Sequence, residues 1–166
     1  MVDNAEQGCG LPARPVDPLL IAVRRSSPHG FPYRTSMQPT DIRALVIDDN
    51  QDVRDSMVMV LELMGCSARA LPTAEESLPL LAHEQPRDNP IHIAFVDVSL
   101  PGMSGYELAR FVRAAAVPRR AMLVAMTGWG TERDRERALD EGFDAHVVKP
   151  LDMERLRSLL DAVRVR

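Results

Sequence analysis

Cysteine is scarce in this 166-residue chain: there are two, Cys9 and Cys66, far apart and in no C-x-x-C pair. That spacing argues against a disulfide framework or a cysteine-ligated zinc site, and it fits a reducing cytosol. Cys66 reads as a small apolar residue buried after a helix. Long apolar runs are missing too. A membrane-spanning helix needs ~20 apolar residues in succession. The longest early run, Leu19-Leu20-Ile21-Ala22-Val23, falls far short and lacks the preceding basic residues of a signal peptide. The expectation is a cytoplasmic protein with no membrane partner. Excess positive charge is also absent. The net charge is −4, which speaks against direct nucleic-acid binding. No helix-turn-helix segment is visible either.

The sharpest shortage is of lysine. Of 20 cationic side chains, 19 are arginine and one is Lys149. Either the single lysine is chance, or position 149 requires a compact ammonium where a planar guanidinium would not serve.

The rest of the composition is that of a globular protein with a core: 45% hydrophobic and 27% charged. Residues 1–40 hold six of the 13 prolines and show neither helical nor strand period. This stretch is expected to be a disordered extension, or an over-long start ahead of Met37. The folded domain then covers residues 41–166.

From Asp41 onward apolar runs alternate with amphipathic stretches. Ala44-Leu45-Val46-Ile47 is a strand that ends in Asp48-Asp49. Residues Gln51 to Gly65 repeat Val53, Met57, Val60, Leu61 and Met64 at helical spacing, and Gly65 stops the helix. A short strand over Ser67 to Leu71 follows. Thr73 then caps a helix over Ala74 to Glu84, which Pro79 should kink or displace at its start. Ile91 to Val96 is a strand ending in Asp97. A loop with Pro101-Gly102 and Gly105 leads to a helix ending near Ala115. Ala121 to Met126 is a strand ending at Thr127-Gly128, and a charged helix covers Thr131 to Glu141. Ala145 to Val148 is a strand ending at Lys149-Pro150, and Asp152 caps a last helix to about Val163. Five strand–helix alternations with continuous apolar strands predict an α/β fold, a doubly wound parallel sheet covered on both faces.

The reactive side chains share one position in this scheme. Asp48, Asp49, Asp97, Thr127 and Lys149 each follow an apolar strand. In an open parallel sheet the carboxyl ends of the strands share one edge, where ligands bind. Taken alone, an Asp-Asp pair after a strand is a helix N-cap, Asp97 a turn residue and Lys149 a surface cation. Taken together they form a site. Three carboxylates at ~4 Å repel by on the order of a few kcal/mol per pair at an effective dielectric of about 20. A divalent cation removes that penalty, and all-oxygen ligation without histidine suits Mg²⁺ or Mn²⁺. Lys149 adds a second positive charge and Thr127 a hydroxyl, beside the open space left by Gly128. Positive charge gathered around an anion, next to a carboxylate nucleophile, is a layout for phosphoryl transfer.

Four motifs carry a family resemblance: Leu45-Val46-Ile47-Asp48-Asp49-Asn50, the run from Val96-Asp97 through Pro101-Gly102-Met103-Ser104-Gly105, Met126-Thr127-Gly128, and His146-Val147-Val148-Lys149-Pro150. From about Arg43 to Val163 the chain resembles the receiver domain of two-component response regulators, similar to chemotaxis regulators and the receivers of hybrid histidine kinases. The resemblance implies a flavodoxin-like sheet in the order 2-1-3-4-5. It implies that Asp97 is the phosphoacceptor, that Asp49 and Asp97 ligate Mg²⁺ directly and Asp48 mostly through water, and that the Ser99 backbone carbonyl completes the set. Lys149, through a cis bond to Pro150, would pair with a phosphoryl oxygen. Thr127 would turn inward to the phosphoryl group. The family often carries Tyr or Phe as a rotating switch where this chain has His146. Trp129 flanks the site entrance, either slowing the access of water or anchoring the loop.

The implied protein is a signalling phosphoacceptor rather than an enzyme acting on other substrates. Its donor would be a sensor histidine kinase or a phosphotransfer protein. Its output surface would be the fourth helix, fifth strand and fifth helix, with Arg133, Arg135, Arg137 and His146. With no further domain after Arg166, output would go through a protein partner or by relay of the phosphate. Two other readings are an aspartate-nucleophile phosphatase, which wants an acid where Ser99 stands, and a receiver-fold adaptor that works without phosphorylation.

Overall fold

The structure, a computed structural model, describes residues 42–83, 90–115 and 121–164. The expected extension over residues 1–40 lies outside the described residues. Five strands, β1 (Arg43–Ile47), β2 (Ser67–Leu71), β3 (Ile93–Asp97), β4 (Met122–Thr127) and β5 (Ala145–Val148), alternate with five helices. These are α1 (Gln51–Leu63), α2 (Ala74–Leu81), α3 (Gly105–Ala114), α4 (Glu132–Asp140) and α5 (Met153–Arg164). The strands form one sheet in the order β2-β1-β3-β4-β5, all pairs parallel.

The alternation of side chains along each strand feeds two separate cores. Ala44, Val46, Phe95, Val124 and Val147 pack with Met57 and Leu61 of α1 and Leu156, Leu159 and Leu160 of α5. Leu45, Ile47, Val96, Leu123 and Ala125 pack on the other face with Ala74 and Leu81 of α2, Leu108 and Val112 of α3, and Ala138 of α4. Both faces of the central strands are therefore buried, and every residue of β3 is inaccessible to solvent or nearly so. A side chain the size of Phe95, fully buried, contributes roughly 2–3 kcal/mol over its exposed form.

Several boundaries differ from the sequence pattern. The cap of α1 is Asn50, whose side chain accepts from the Asp52 and Val53 amides. The preceding acidic pair is thereby released from the capping role. β3 begins at Ile93 rather than Ile91, and Asp97 and Thr127 are the last residues of their strands rather than the first beyond them. The start of α2 is not displaced by Pro79: Thr73 caps it as expected and the proline lies inside the helix. Gly65 ends the α1 region with φ +82°, a left-handed conformation that glycine adopts without steric cost.

α4 stands apart from the other helices. Ala138 is its one buried residue. Polar contacts to α3 tie down its C-terminal end and the turn that follows: Arg137 stacks 4.2 Å from the centre of the Tyr106 ring, Arg110 pairs with Glu141, and Arg113 reaches Gly142 and Asp144. Arg137, which stays exposed, thus lies against α3. The cation–ring attraction favours that direction.

Candidate functional site

The carboxyl ends of β1, β3, β4 and β5 meet at one edge of the sheet, and the site is built there. Its centre is the ammonium of Lys149. Lys149 Nζ donates to Asp48 Oδ2 and to Asp97 Oδ2, both at 2.6 Å. Burial alone would lower the pKa of this lysine. The hydrogen bonds and charges of Asp48 and Asp97 outweigh it and hold the amine above the ordinary lysine value. Its backbone is held as well, since Lys149 N donates to the Thr127 carbonyl at 2.8 Å. The Lys149–Pro150 peptide is cis, as the resemblance implied.

Each acid is held differently. Asp48 is fully buried, and its Oδ1 accepts from Asn50 N at 3.0 Å. Asp97 is 8% exposed, and its Oδ1 accepts from Ser99 N at 2.8 Å. This carboxylate therefore organises the turn after β3 with one oxygen and meets the lysine with the other. Asp49 is exposed. Ligand oxygens of Asp48, Asp49 and Asp97 all lie within 4.8 Å of one another, a cluster able to coordinate a divalent metal ion.

Thr127 is buried at the end of β4, between the strands that carry Asp97 and Lys149, and its Oγ1 accepts from Trp129 N at 3.2 Å. Accepting that bond leaves the hydroxyl proton free to point elsewhere. A Cβ at Gly128 would meet nothing within 4 Å, so the space beside the threonine is open. Trp129 is 77% exposed. His146, on β5, is partly buried, and its Nε2 has no hydrogen-bond partner among the described residues. Burial lowers its pKa, with Arg135 and Arg155 acting the same way and Asp134 and Glu132 opposing.

The fold thus brings together Asp48, Asp49, Asp97, Thr127 and Lys149, with Ser99 and Trp129 on the adjoining loops. One neighbour went unseen in the sequence. Arg54 Nη1 donates to the carbonyls of both Asp48, at 2.8 Å, and Asp49, at 2.9 Å. A cation in the first turn of a helix opposes the helix dipole, and that oddity was the available signal.

The response regulator receiver domain family model matches residues 44–161, and the chain belongs to that family. It is 36% identical over 108 residues to the uncharacterized 14.6 kDa protein in the sodA1 3' region of Leptolyngbya boryana, a stretch covering 65% of this chain and 79% of that protein. It is 30% identical over 132 residues to the sensor histidine kinase AtsR of Burkholderia thailandensis, covering 78% of this chain but only 21% of that much longer protein. Among solved structures, a response regulator receiver domain protein (CheY-like) from Methanospirillum hungatei superposes with a TM-score of 0.62 at 26% identity, over 76% of this chain and 98% of that one. Among the described residues, no helix is long and apolar enough to cross a membrane.

Proposed function

We propose that residues 41–166 form a cytoplasmic phosphoacceptor domain that takes a phosphoryl group from a phosphohistidine onto Asp97. An Asp97 carboxylate oxygen attacks phosphorus, the phosphorus–nitrogen bond breaks, and the donor imidazole leaves. The observation that carries this reading is the single ammonium of Lys149 bridging Asp48 and Asp97 at 2.6 Å within a cluster of three carboxylates. A carboxylate so placed stands beside a positive charge that can move to an incoming phosphoryl oxygen. The Thr127 hydroxyl, free to donate, supplies the second contact.

Asp48, Asp49 and Asp97, with the Ser99 carbonyl, would hold Mg²⁺, or Mn²⁺ in its place. The donor set fits: it is all oxygen, rich in carboxylate and without histidine or thiolate. When bound, the cation offsets the negative charge that the carboxylates and the phosphoryl group bring together. Trp129, exposed at the rim, would limit the approach of water to the acyl phosphate.

The donor class is a sensor histidine kinase or a phosphotransfer protein. The match to part of a protein named as a sensor histidine kinase supports it. Once Thr127 and Lys149 turn to the phosphoryl group, their strands carry the change to α4, β5 and α5, where His146 lies and a downstream protein would bind, or the phosphate is relayed onward. α4, with one buried residue, has the fewest of the five helices.

The test is incubation with a phosphodonor and Mg²⁺, followed by intact-mass measurement. The wild type is expected to gain one acid-labile phosphoryl group, and a chelator or Asp97→Asn to prevent it. Full labelling of the Asn variant would overturn the assignment.

A further inference from the structure

We infer that Arg54 is a positioning residue that aims Asp49 at the divalent cation. The inference rests on the reading of Asp49 as a cation ligand. Asp48 needs no such help: it is fully buried, with Asn50 N on one carboxylate oxygen and Lys149 on the other. Asp49 is exposed, and no hydrogen bond to its carboxylate appears among the described residues. The direction of that carboxylate therefore depends on the backbone.

Arg54 grips this backbone on both sides. The Asp48 carbonyl belongs to the peptide plane before the Asp49 Cα, and the Asp49 carbonyl to the plane after it. One nitrogen, Arg54 Nη1, donates to both, at 2.8 Å and 2.9 Å. Holding two successive planes fixes both backbone dihedrals of the residue between them. The guanidinium stands in the first turn of α1, where its charge opposes the helix dipole. Its two hydrogen bonds to carbonyls are a compensating reason for a cation to be there.

Charge and positioning predict opposite signs when Arg54 is changed. A positive charge near a cation site repels the cation, so on charge alone its removal would tighten binding. Loss of positioning would weaken binding. Arg54→Met keeps the packing of the stem and removes both donors. In a calorimetric titration of the full chain with Mn²⁺, Arg54→Met is expected to bind about tenfold more weakly than the wild type. Arg54→Lys, whose ammonium can also place a hydrogen on each carbonyl, is expected to restore most of the affinity. The rise in Tm on adding Mn²⁺ should shrink in Arg54→Met in parallel, which a purely structural weakening of the fold would not produce. Arg54→Gln, too short to span both carbonyls, is expected to behave as Arg54→Met and serves if that variant does not fold. Unchanged or tighter Mn²⁺ binding by the variants, beside a wild type that binds, would overturn this role for Arg54 alone. A wild type that takes up no Mn²⁺ would overturn the proposed cation site, and this inference with it.

Discussion

Removing a site carboxylate should make the metal-free protein more stable, and Asp49→Asn is the cleanest case. Asp49 lies within 4.8 Å of ligand oxygens of both Asp48 and Asp97. At that separation each like-charge pair costs about 1 kcal/mol in water and about 3.5 kcal/mol at an effective dielectric near 20. The Lys149 ammonium touches both neighbouring acids and cancels about one of the two repulsions. The net repulsion on Asp49 is then roughly 1–3 kcal/mol, toward the lower end because the residue is exposed. An opposing effect is the attraction of Asp49 to the N-terminus of α1, worth about 0.3–1 kcal/mol. Asn50, not Asp49, supplies the cap, so no capping hydrogen bond is lost. Repulsion wins, and Asn is expected to stabilise the metal-free fold by about 1 kcal/mol, or roughly 3–6 °C in Tm for a domain of this size. Thermal melts followed by circular dichroism in EDTA, and again in saturating Mg²⁺, test this. The wild type should gain stability from Mg²⁺ and the variant should gain little, so the order of the two melting temperatures should narrow or reverse. A variant that melts below the wild type in EDTA while responding to Mg²⁺ as the wild type does would refute the reasoning.

Two further outcomes follow from the same site. Lys149→Arg keeps the charge but replaces one nitrogen, bonded to two carboxylates, by a wider planar group. The fold should persist, but the change in amide hydrogen exchange over α4 and β5 on phosphorylation should be largely lost; an undiminished change would show that only charge matters. His146 has its pKa lowered by burial first, so the folded state favours the neutral ring and the unfolded state takes up the proton sooner. Its stabilising contribution is complete above the ordinary value of 6.5 and is lost as pH falls from there toward the folded pKa. Urea midpoints should therefore fall less in His146→Phe than in the wild type between about pH 7 and about pH 5.5, and equal slopes would exclude His146 as the cause.

The strands were legible because the physics that forms them is crude and strong; their order was what the family resemblance implied. Ile93-Ala94-Phe95-Val96 is buried on both faces, so it reads as a continuous apolar run, and topology then carries the acids of two strands and the lysine of a third to one edge. What escaped the sequence is finer. Whether Asp49 or Asn50 caps α1 turns on a single residue's backbone angles, and all three residues at positions 48–50 are of capping types. The direction of Arg137 turns on a ring in another helix, 31 positions away in the chain at Tyr106. Spacing within the fourth helix cannot report that contact. The lone lysine was visible as a departure from an arginine-rich composition, but its reason is spatial: one nitrogen must reach two oxygens of separate strands while its own backbone is bound to a third. A guanidinium spreads its donors over three nitrogens and would push the two carboxylates apart. Of these contacts, that of Arg137 lies on α4, and a helix held by one buried alanine and several charges is one that a change of charge can move.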